Sequence, residues 1–406
     1  MVDILFSATQ GSKTYCAGTH RECTPAETLA RVRGNLSDIG ITRLANLTGL
    51  DTIGIPTVQA VRPNARSLSV AQGKGHDLDA AKASAVMESI EQHVAEHPRV
   101  DLRIASYAEL QARHAVVDIE CLPAYVRRRP VDGGQTMLWT QARELTSGEP
   151  VYVPFDMVHL NLSQPLHGVS GHFPVGSNGL ASGNSLVEAI AHGLWELIER
   201  DALARFYQMP ATIQAERRIN LASITDRTAR ELLQRCARAD VSVGIWDMTS
   251  DIQVPTFFCA ICDKNESVFR PLGAALGYGC HVQSGVALCR ALTEAAQSRL
   301  TRISGARDDM RARPSQNKRH AWADELASDL GWRQFAAVSS RTFPSHAMDV
   351  LWTVEMLQSV GIDQALFVEL THEELPASVV RVIVPGLEGV PDAPGYVAGA
   401  RARNVW

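Results

Sequence analysis

Long hydrophobic runs are missing from this chain. No stretch approaches ~20 consecutive apolar residues, so no membrane-spanning helix is expected. The N-terminus, MVDILFSATQGSK, has neither a basic n-region nor an apolar h-region, which argues against a secretory signal peptide. Basic runs are missing too. The 39 Lys and Arg against 44 Asp and Glu leave a formal net charge of −5, so nothing favours nucleic acid or an anionic membrane as a partner. No internal repeat or low-complexity tract is evident. The eight cysteines show no tight spacing pattern, and without an export signal they imply reduced thiols and a cytoplasmic location. One CxxC occurs, Cys259 to Cys262, but it lies in VPTFFCAICD. That segment reads as a buried strand, where residues three apart point to opposite faces. A zinc site would need a second ligand pair, and none has a convincing spacing.

What remains is an ordinary globular composition of 406 residues, 45% hydrophobic and 20% charged, with ample material for a core. Helical periodicity covers residues 25–39 (with Thr24 as N-cap), 78–97, 105–113, 184–208, 222–237, 286–304 and 348–360. Strand-like segments cover 51–62, 66–75, a pair within 136–155, 241–247, 254–263, 364–370 and 379–384. A Gly-rich loop is expected at 168–183, a charged exposed connection at 305–335 and an extended Gly/Pro-rich tail at 385–406. Strands and helices are interspersed, so the fold class is α/β in the sense of mixed α+β.

The segment 177–206 is the most informative. Projected at about 100° per residue, Leu186, Val187, Ala189, Ile190, Ala191, Leu194, Trp195, Leu197 and Ile198 cover most of the helix circumference, the pattern of a buried helix. Yet Asn184, Glu188, His192, Glu196 and Glu199 fall in one stripe roughly 120° wide. Carboxylates stacked along a buried helix repel one another and are costly to desolvate, so cations must compensate them or water must reach them. The alternative is a solvated outer face. The helix at 78–97 repeats the pattern with Ser84, Glu88, Glu91 and Gln92 on one side, and there a solvated face is a stronger competitor. It follows a Gly-Lys-Gly turn, Gly73 to Gly75, that can bring backbone N–H groups or Lys74 near an anion. The GxxxxGK[ST] spacing of a P-loop is absent. The helix at 286–304 places Arg290, Glu294 and Gln297 on one face, with Arg299 roughly opposite. Alone this is an ordinary surface pair. Taken together, the three helices supply an oxygen-rich cluster suited to a hard cation such as magnesium, beside Arg200 and Arg290, which suit phosphates. Paired carboxylates for glycoside hydrolysis fit less well, because three acids along one helix and nearby arginines are not that arrangement.

At these residues the sequence resembles the YcaO family: GKG followed by ASAVMESIEQ, then SNGLASGN with EAIAHGLWELIERD, then RALTEAAQSR. The resemblance covers nearly the whole chain. It implies a single catalytic domain over 1–406, with an ATP site between helices packed on β-sheets, and ATP and Mg2+ as cofactors. By position it assigns Glu88 and Glu91, then Asn184, Glu188, Glu196, Glu199 and Arg200, then Arg290 and Glu294. Arg21 and Thr28 correspond more loosely to further nucleotide contacts, and Lys74 and Ser84 lie beside them. Of these, Glu88, Glu91, Glu188, Glu196 and Glu199 are the expected magnesium ligands, and Glu196, Glu199, Arg200 and Arg290 the expected catalytic set. Gln92 stands where the first motif usually ends in Arg or His. Ala181 stands where some relatives have serine, with Ser182 adjacent. The proline-rich tail of azoline-forming members is missing from the ending ARARNVW. The segments GTHRECTPAETLARV and TGLDTIGIPTVQAVRPNARSLSVAQGKG are similar to the TfuA-associated branch. That branch implies backbone thioamide formation on a precursor peptide or protein, with a TfuA-like partner for sulfur delivery. An azoline-forming cyclodehydratase and a non-catalytic peptide- or partner-binding subunit are the alternatives. A homodimer is neither required nor excluded.

Overall fold

The computed structural model describes residues 10–123, 131–163, 170–265, 272–307, 326 and 331–404. Helix α1 (Pro25–Val32) starts at a capping box, in which Thr24 accepts from the Glu27 backbone and the Glu27 carboxylate answers the Thr24 N–H. The helical pattern expected over 25–39 breaks at Val32 into a short 3₁₀ turn, Arg33–Asn35. An antiparallel meander follows, β1 (Arg43–Asn46), β2 (Thr57–Val61) and β3 (Val70–Lys74), with Thr57 opposite Lys74. It feeds helix α2 (Leu78–Glu96), capped by Asp77.

A six-stranded antiparallel sheet comes next. Its strands are β4 (Arg103–Ser106), β5 (Thr136–Glu144), β6 (Pro150–Pro154), β7 (Leu180–Gly183), β11 (Leu366–Glu369) and β12 (Ser378–Ile383). The short helix α3 (Tyr107–Gln111) follows β4, and β7 feeds α4 (Leu186–Gln208), capped by Ser185. Helices α5 (Ala211–Glu216) and α6 (Arg227–Arg238) lead to a second meander, β8 (Val241–Asp247), β9 (Thr256–Asp263) and β10 (Ala275–Cys280), which feeds α7 (Ser284–Ser304). Helices α8 (His346–Ser359) and α9 (Ala400–Arg403) complete the described elements.

Packing follows the period of two along β12. Val379 and Ile383 face the core shared with α2, whereas Val380 and Val382 face the core shared with α4 and α8. The third core lies between β8–β10, α6 and α7. On β9, Cys259 enters that core while Cys262 packs on the other side, as the strand reading of the CxxC required.

A threefold architecture emerges that identity along the sequence does not show. In each case a strand with a small residue at or next to its last position runs straight into the helix that packs on it: β3 into α2, β7 into α4, β10 into α7. Each helix also packs on the strand of the next unit, α2 on β7, α4 on β10 and α7 on β3, which closes a ring. Glycine permits the close approach. A Cβ at Gly73 would lie 2.1 Å from Ala81 O, and one at Gly279 2.1 Å from Ala287 O, eight residues on in both cases. The helices carry matched acids at Glu88, Glu196 and Glu294, followed three residues later by Glu91, Glu199 and Gln297.

Several expectations shift. The strand expected over 51–62 is confined to Thr57–Val61, and the Gly-rich segment 168–183 contains β7. Strands β1, β4 and β10 are additional, being short or glycine-rich (ALGYGC). Lys74 belongs to β3, so the turn before α2 begins only at Gly75. Most of the expected connection at 305–335 falls outside the described residues. The C-terminal segment folds back instead of extending. Arg401 grips buried Asp201 of α4 through two 2.9 Å hydrogen bonds, and the Glu388 carboxylate accepts from the backbones of Gly399 and Ala402, both at 2.8 Å. Among the described residues, no helix is long and apolar enough to cross a membrane.

Candidate active site

The acidic faces of α2, α4 and α7 meet around one cleft of about 890 Å³. All thirteen residues singled out in the sequence line it: Arg21, Thr28, Lys74, Ser84, Glu88, Glu91, Asn184, Glu188, Glu196, Glu199, Arg200, Arg290 and Glu294. The stripes on these helices therefore face a shared cavity, not an outer solvated surface. Arg299 points away from it, into a buried pairing with Asp51 at 3.0 Å and Asp263 at 2.8 Å.

Charge is distributed unevenly. At the N-terminal end of α4, Glu188 is only 2% exposed. It accepts from Arg21 Nη1 (3.2 Å), the Glu22 backbone N–H (3.0 Å) and Asn184 Nδ2 (3.1 Å), and Thr28 Oγ1 donates to Asn184 Oδ1 at 2.9 Å. Burial alone would push the Glu188 carboxyl up, but Arg21, His346 and these backbone donors hold it below the ordinary carboxylate range. Lys74 pairs with Glu294. Arg200 Nη2 lies 3.4 Å from Glu199 Oε1, with the guanidinium 5.6 Å from the centre of the Tyr278 ring. Arg290 Nη2 donates to His192 Nε2 at 2.9 Å. Burial and Arg290 push the His192 imidazole far below its ordinary value, so it is neutral and serves to orient Arg290.

The remaining carboxyls are under-compensated. Burial pushes Glu88 and Glu196 each up to about 7, and Glu91 to about 8 despite two hydrogen bonds from Ser182. Glu199 is raised by burial as well. Ser182, beside Ala181, donates to Glu91 Oε1 from its backbone at 2.9 Å and its hydroxyl at 2.7 Å, and so fixes that carboxyl's direction. Gln92 donates to Glu88 Oε1 at 3.3 Å, while its own Oε1 is buried without a partner among the described residues. Sequence reasoning missed Arg381. It is 1% exposed, on the α2 face of β12, and hydrogen-bonded to Val158 O and Asn178 O. Burial drives it down to about 10, while Glu196 and Glu91 favour its charge. A single arginine inside the apolar run SVVRVIV was the available signal.

Carboxyls lining one cleft with too little positive charge between them suit a hard divalent cation, which takes oxygen ligands and relieves their mutual repulsion, although no three of these carboxylates have oxygens within 4.8 Å of one another here. A second grouping, His93, Glu96 and His97, does not fit one. The Glu96 carboxylate is already engaged by Arg62 and by the Ser67 backbone N–H and hydroxyl.

A family model described as "YcaO cyclodehydratase", ATP- and Mg2+-binding, matches residues 72–388. The chain belongs to the YcaO family. A protein of Rhizobium leguminosarum bv. trifolii, described as an uncharacterized protein in the tfuA 3′ region, is 38% identical over 401 residues, covering 95% of this chain and 92% of its own. An uncharacterized protein of Methanothermobacter thermautotrophicus is 35% identical over 395 residues, 94% of this chain and 98% of its own. Among solved structures, YcaO from Methanopyrus kandleri bound with AMPPCP and Mg2+ superposes with a TM-score of 0.71 at 23% identity, covering 93% of this chain and 95% of its own. A heterocyclase in complex with substrate and cofactor gives 0.73 at 22% identity, but this chain, 95% covered, spans only 54% of it. The mixed helix-and-sheet fold is thus that of YcaO proteins, and ATP and Mg2+ are the family's cofactors.

The raised carboxyls give this YcaO protein a defined pH response. Each binds its proton more tightly in the folded protein than in the unfolded chain, where a glutamate titrates near 4.3. Between about pH 4 and about pH 8 these carboxyls hold more protons in the folded state, so their own contribution to the stability of the metal-free protein falls as pH rises, while below about pH 6.5 the depressed histidines His20, His93, His192 and His281 act in the opposite direction. Magnesium held by these carboxyls would need their deprotonated forms, so its half-saturation concentration should fall about tenfold per pH unit for each proton displaced. Thermal unfolding and Mg2+ titrations across this window check both. A Mg2+ affinity that does not change with pH would count against cation binding by these carboxyls.

Proposed function

We propose that this YcaO protein uses ATP and Mg2+ to activate a peptide backbone amide, and that its product is a thioamide in a ribosomally made peptide or protein. The observation that carries the reading is that under-compensated carboxyls of α2 and α4 face one cleft together with Arg200, Arg290 and the Lys74–Glu294 pair. Magnesium, when bound, would supply positive charge to offset that of the phosphates. Glu88, Glu91, Glu196 and Glu199, which line the cleft, would hold it. Glu188 has a different character, because protein donors already surround its carboxylate. Together with Arg21, Thr28, Asn184 and Ser84 it shapes the nucleotide end of the cleft. Arg200 and Arg290 are placed to offset charge developing on the transferred γ-phosphoryl group.

The reaction balances as follows. A sulfide equivalent adds to the peptide carbonyl carbon, forming C–S and moving the π electrons to oxygen. That oxygen takes the γ-phosphoryl group of ATP, releasing ADP. The C–O bond then breaks, phosphate leaves, and C=S remains on the same carbon. Phosphorylation is needed because oxide is a very poor leaving group. The relative encoded in the tfuA 3′ region supports sulfur as the nucleophile and a TfuA-like protein as the sulfur-delivering partner.

Cyclodehydration of Cys, Ser or Thr is the second reading, favoured by the family description and the heterocyclase likeness. The same glutamates would serve it, because the chemistry at phosphorus is shared. Product mass separates the two. With precursor peptide, ATP, Mg2+, a sulfide source and the TfuA-like partner, the expected product has one oxygen exchanged for sulfur. A product that has lost water instead would replace the thioamide reading with cyclodehydration.

A further inference from the structure

Behind Glu188 lies a buried polar train that the reaction as described does not use. Lys13 Nζ sits 2.6 and 2.8 Å from the two Asp349 oxygens, and both side chains are essentially inaccessible, at 2% and 0%. His346, on the first turn of α8 and 1% exposed, lies between Asp349 and the cleft. Its Nδ1 is 3.4 Å from Asp349 Oδ2 and its Nε2 is 3.8 Å from Glu188 Oε2, and neither ring nitrogen has a hydrogen bond among the described residues. The segment carrying Lys13 is laced to α8. The His346 N–H donates to Gly11 O at 2.9 Å, the Lys13 N–H donates to Pro344 O at 3.1 Å, and Ser12 bridges to Ser345. It passes α4 so closely that a Cβ at Gly11 would lie 2.7 Å from Val187 Cγ1. A few residues later the same segment delivers Arg21 and the Glu22 N–H to the Glu188 carboxylate, and the Glu22 carboxylate accepts from Ser185 Oγ at the α4 N-cap.

We infer that His346 and the Lys13–Asp349 ion pair are positioning residues for the nucleotide end of the cleft: they fix the N-terminal segment against α8 and thereby set the direction of the Glu188 carboxylate and of Arg21. A buried ion pair seldom adds net stability over an apolar pair, so one placed here is best explained by the geometry it imposes. His346 Nε2 lies 3.8 Å from Glu188 Oε2, whereas Arg21 donates to the other carboxylate oxygen, Oε1. The inference rests on Glu188 belonging to the nucleotide site.

Three variants test it. His346→Leu removes both ring nitrogens at similar volume. His346→Gln keeps a polar, hydrogen-bonding side chain of similar length. The double change Lys13→Met with Asp349→Leu deletes the pair without leaving a lone buried charge. Steady-state kinetics with ATP, Mg2+ and precursor peptide should show KM for ATP raised about tenfold in His346→Leu and in the double variant, with kcat and the peptide KM within about threefold. His346→Gln should stay within about threefold of the parent in KM for ATP. A purely structural role would lower the unfolding temperature and leave KM for ATP alone. Parental KM for ATP in both His346→Leu and the double variant, alongside a raised KM in Glu188→Gln, overturns the positioning role. An unchanged KM in Glu188→Gln overturns it from the other side, because Glu188 then lies outside the nucleotide site.

Discussion

Glu196→Gln and Glu199→Gln, each made alone, should lower peptide-dependent ATP consumption by about 10²–10³-fold, the scale of removing one charged group from a metal-phosphate site. The change keeps volume and shape and removes only the charge. In the metal-free protein that charge is unfavourable, since burial pushes Glu196 up to about 7 and Glu199 upward as well. The Glu196→Gln amide therefore needs no cation, and the unfolding temperature of that metal-free variant should be unchanged or higher, whereas Glu199→Gln also removes the partner of Arg200 and should unfold at a lower temperature. At Glu196, loss of activity with retained or increased stability is what distinguishes a functional charge from a structural one. The variants should also lose the Mg2+-dependent stabilisation of the parent. ATP consumption and unfolding with and without Mg2+ check this, and full activity in both variants would remove these residues from the catalytic set.

The second large effect is expected at Arg200. Glu199, Glu294 and Glu196 overcome its burial and hold it firmly cationic. Its guanidinium is set by the Glu199 contact and the Tyr278 ring, 5.6 Å away. Lysine keeps the charge but lacks the planar fork that can meet Glu199, the aromatic face and a phosphoryl oxygen together. Arg200→Lys should therefore cost about 10³-fold in kcat, the lower range for an arginine serving phosphoryl transfer, while ATP binding weakens far less. A variant that loses binding and turnover in equal proportion would mean that Arg200 acts on the ground state and not on the transferring group.

Why the site was legible and parts of the fold were not comes down to the range of the forces involved. Helices α2, α4 and α7 announce themselves locally, because a carboxylate stripe on an apolar cylinder is a property of one helix. The cap at Thr24 is local for the same reason. Strands β1 and β4, with four residues each, and the glycine-rich β10 carry little of their own pattern, and pairing partners define them. The influence of Arg381 was invisible because it depends on α2 and α4 bringing Glu91 and Glu196 within reach of its charge.

By itself the sequence determined which side chains would be polar on buried helices, that their donors would be oxygens with arginines beside them, and which family this composition of motifs resembles. Tertiary structure alone decided that three such faces close on one cleft, that Glu188 is satisfied by protein donors while Glu88, Glu91 and Glu196 are not, and that Lys13 and Asp349 brace the far side of Glu188. The physical reason is that a helix fixes the direction of its own side chains through its periodicity. The counter-charges that set a buried carboxyl's state come from residues as distant in the chain as Arg21 and His346, which only packing brings together.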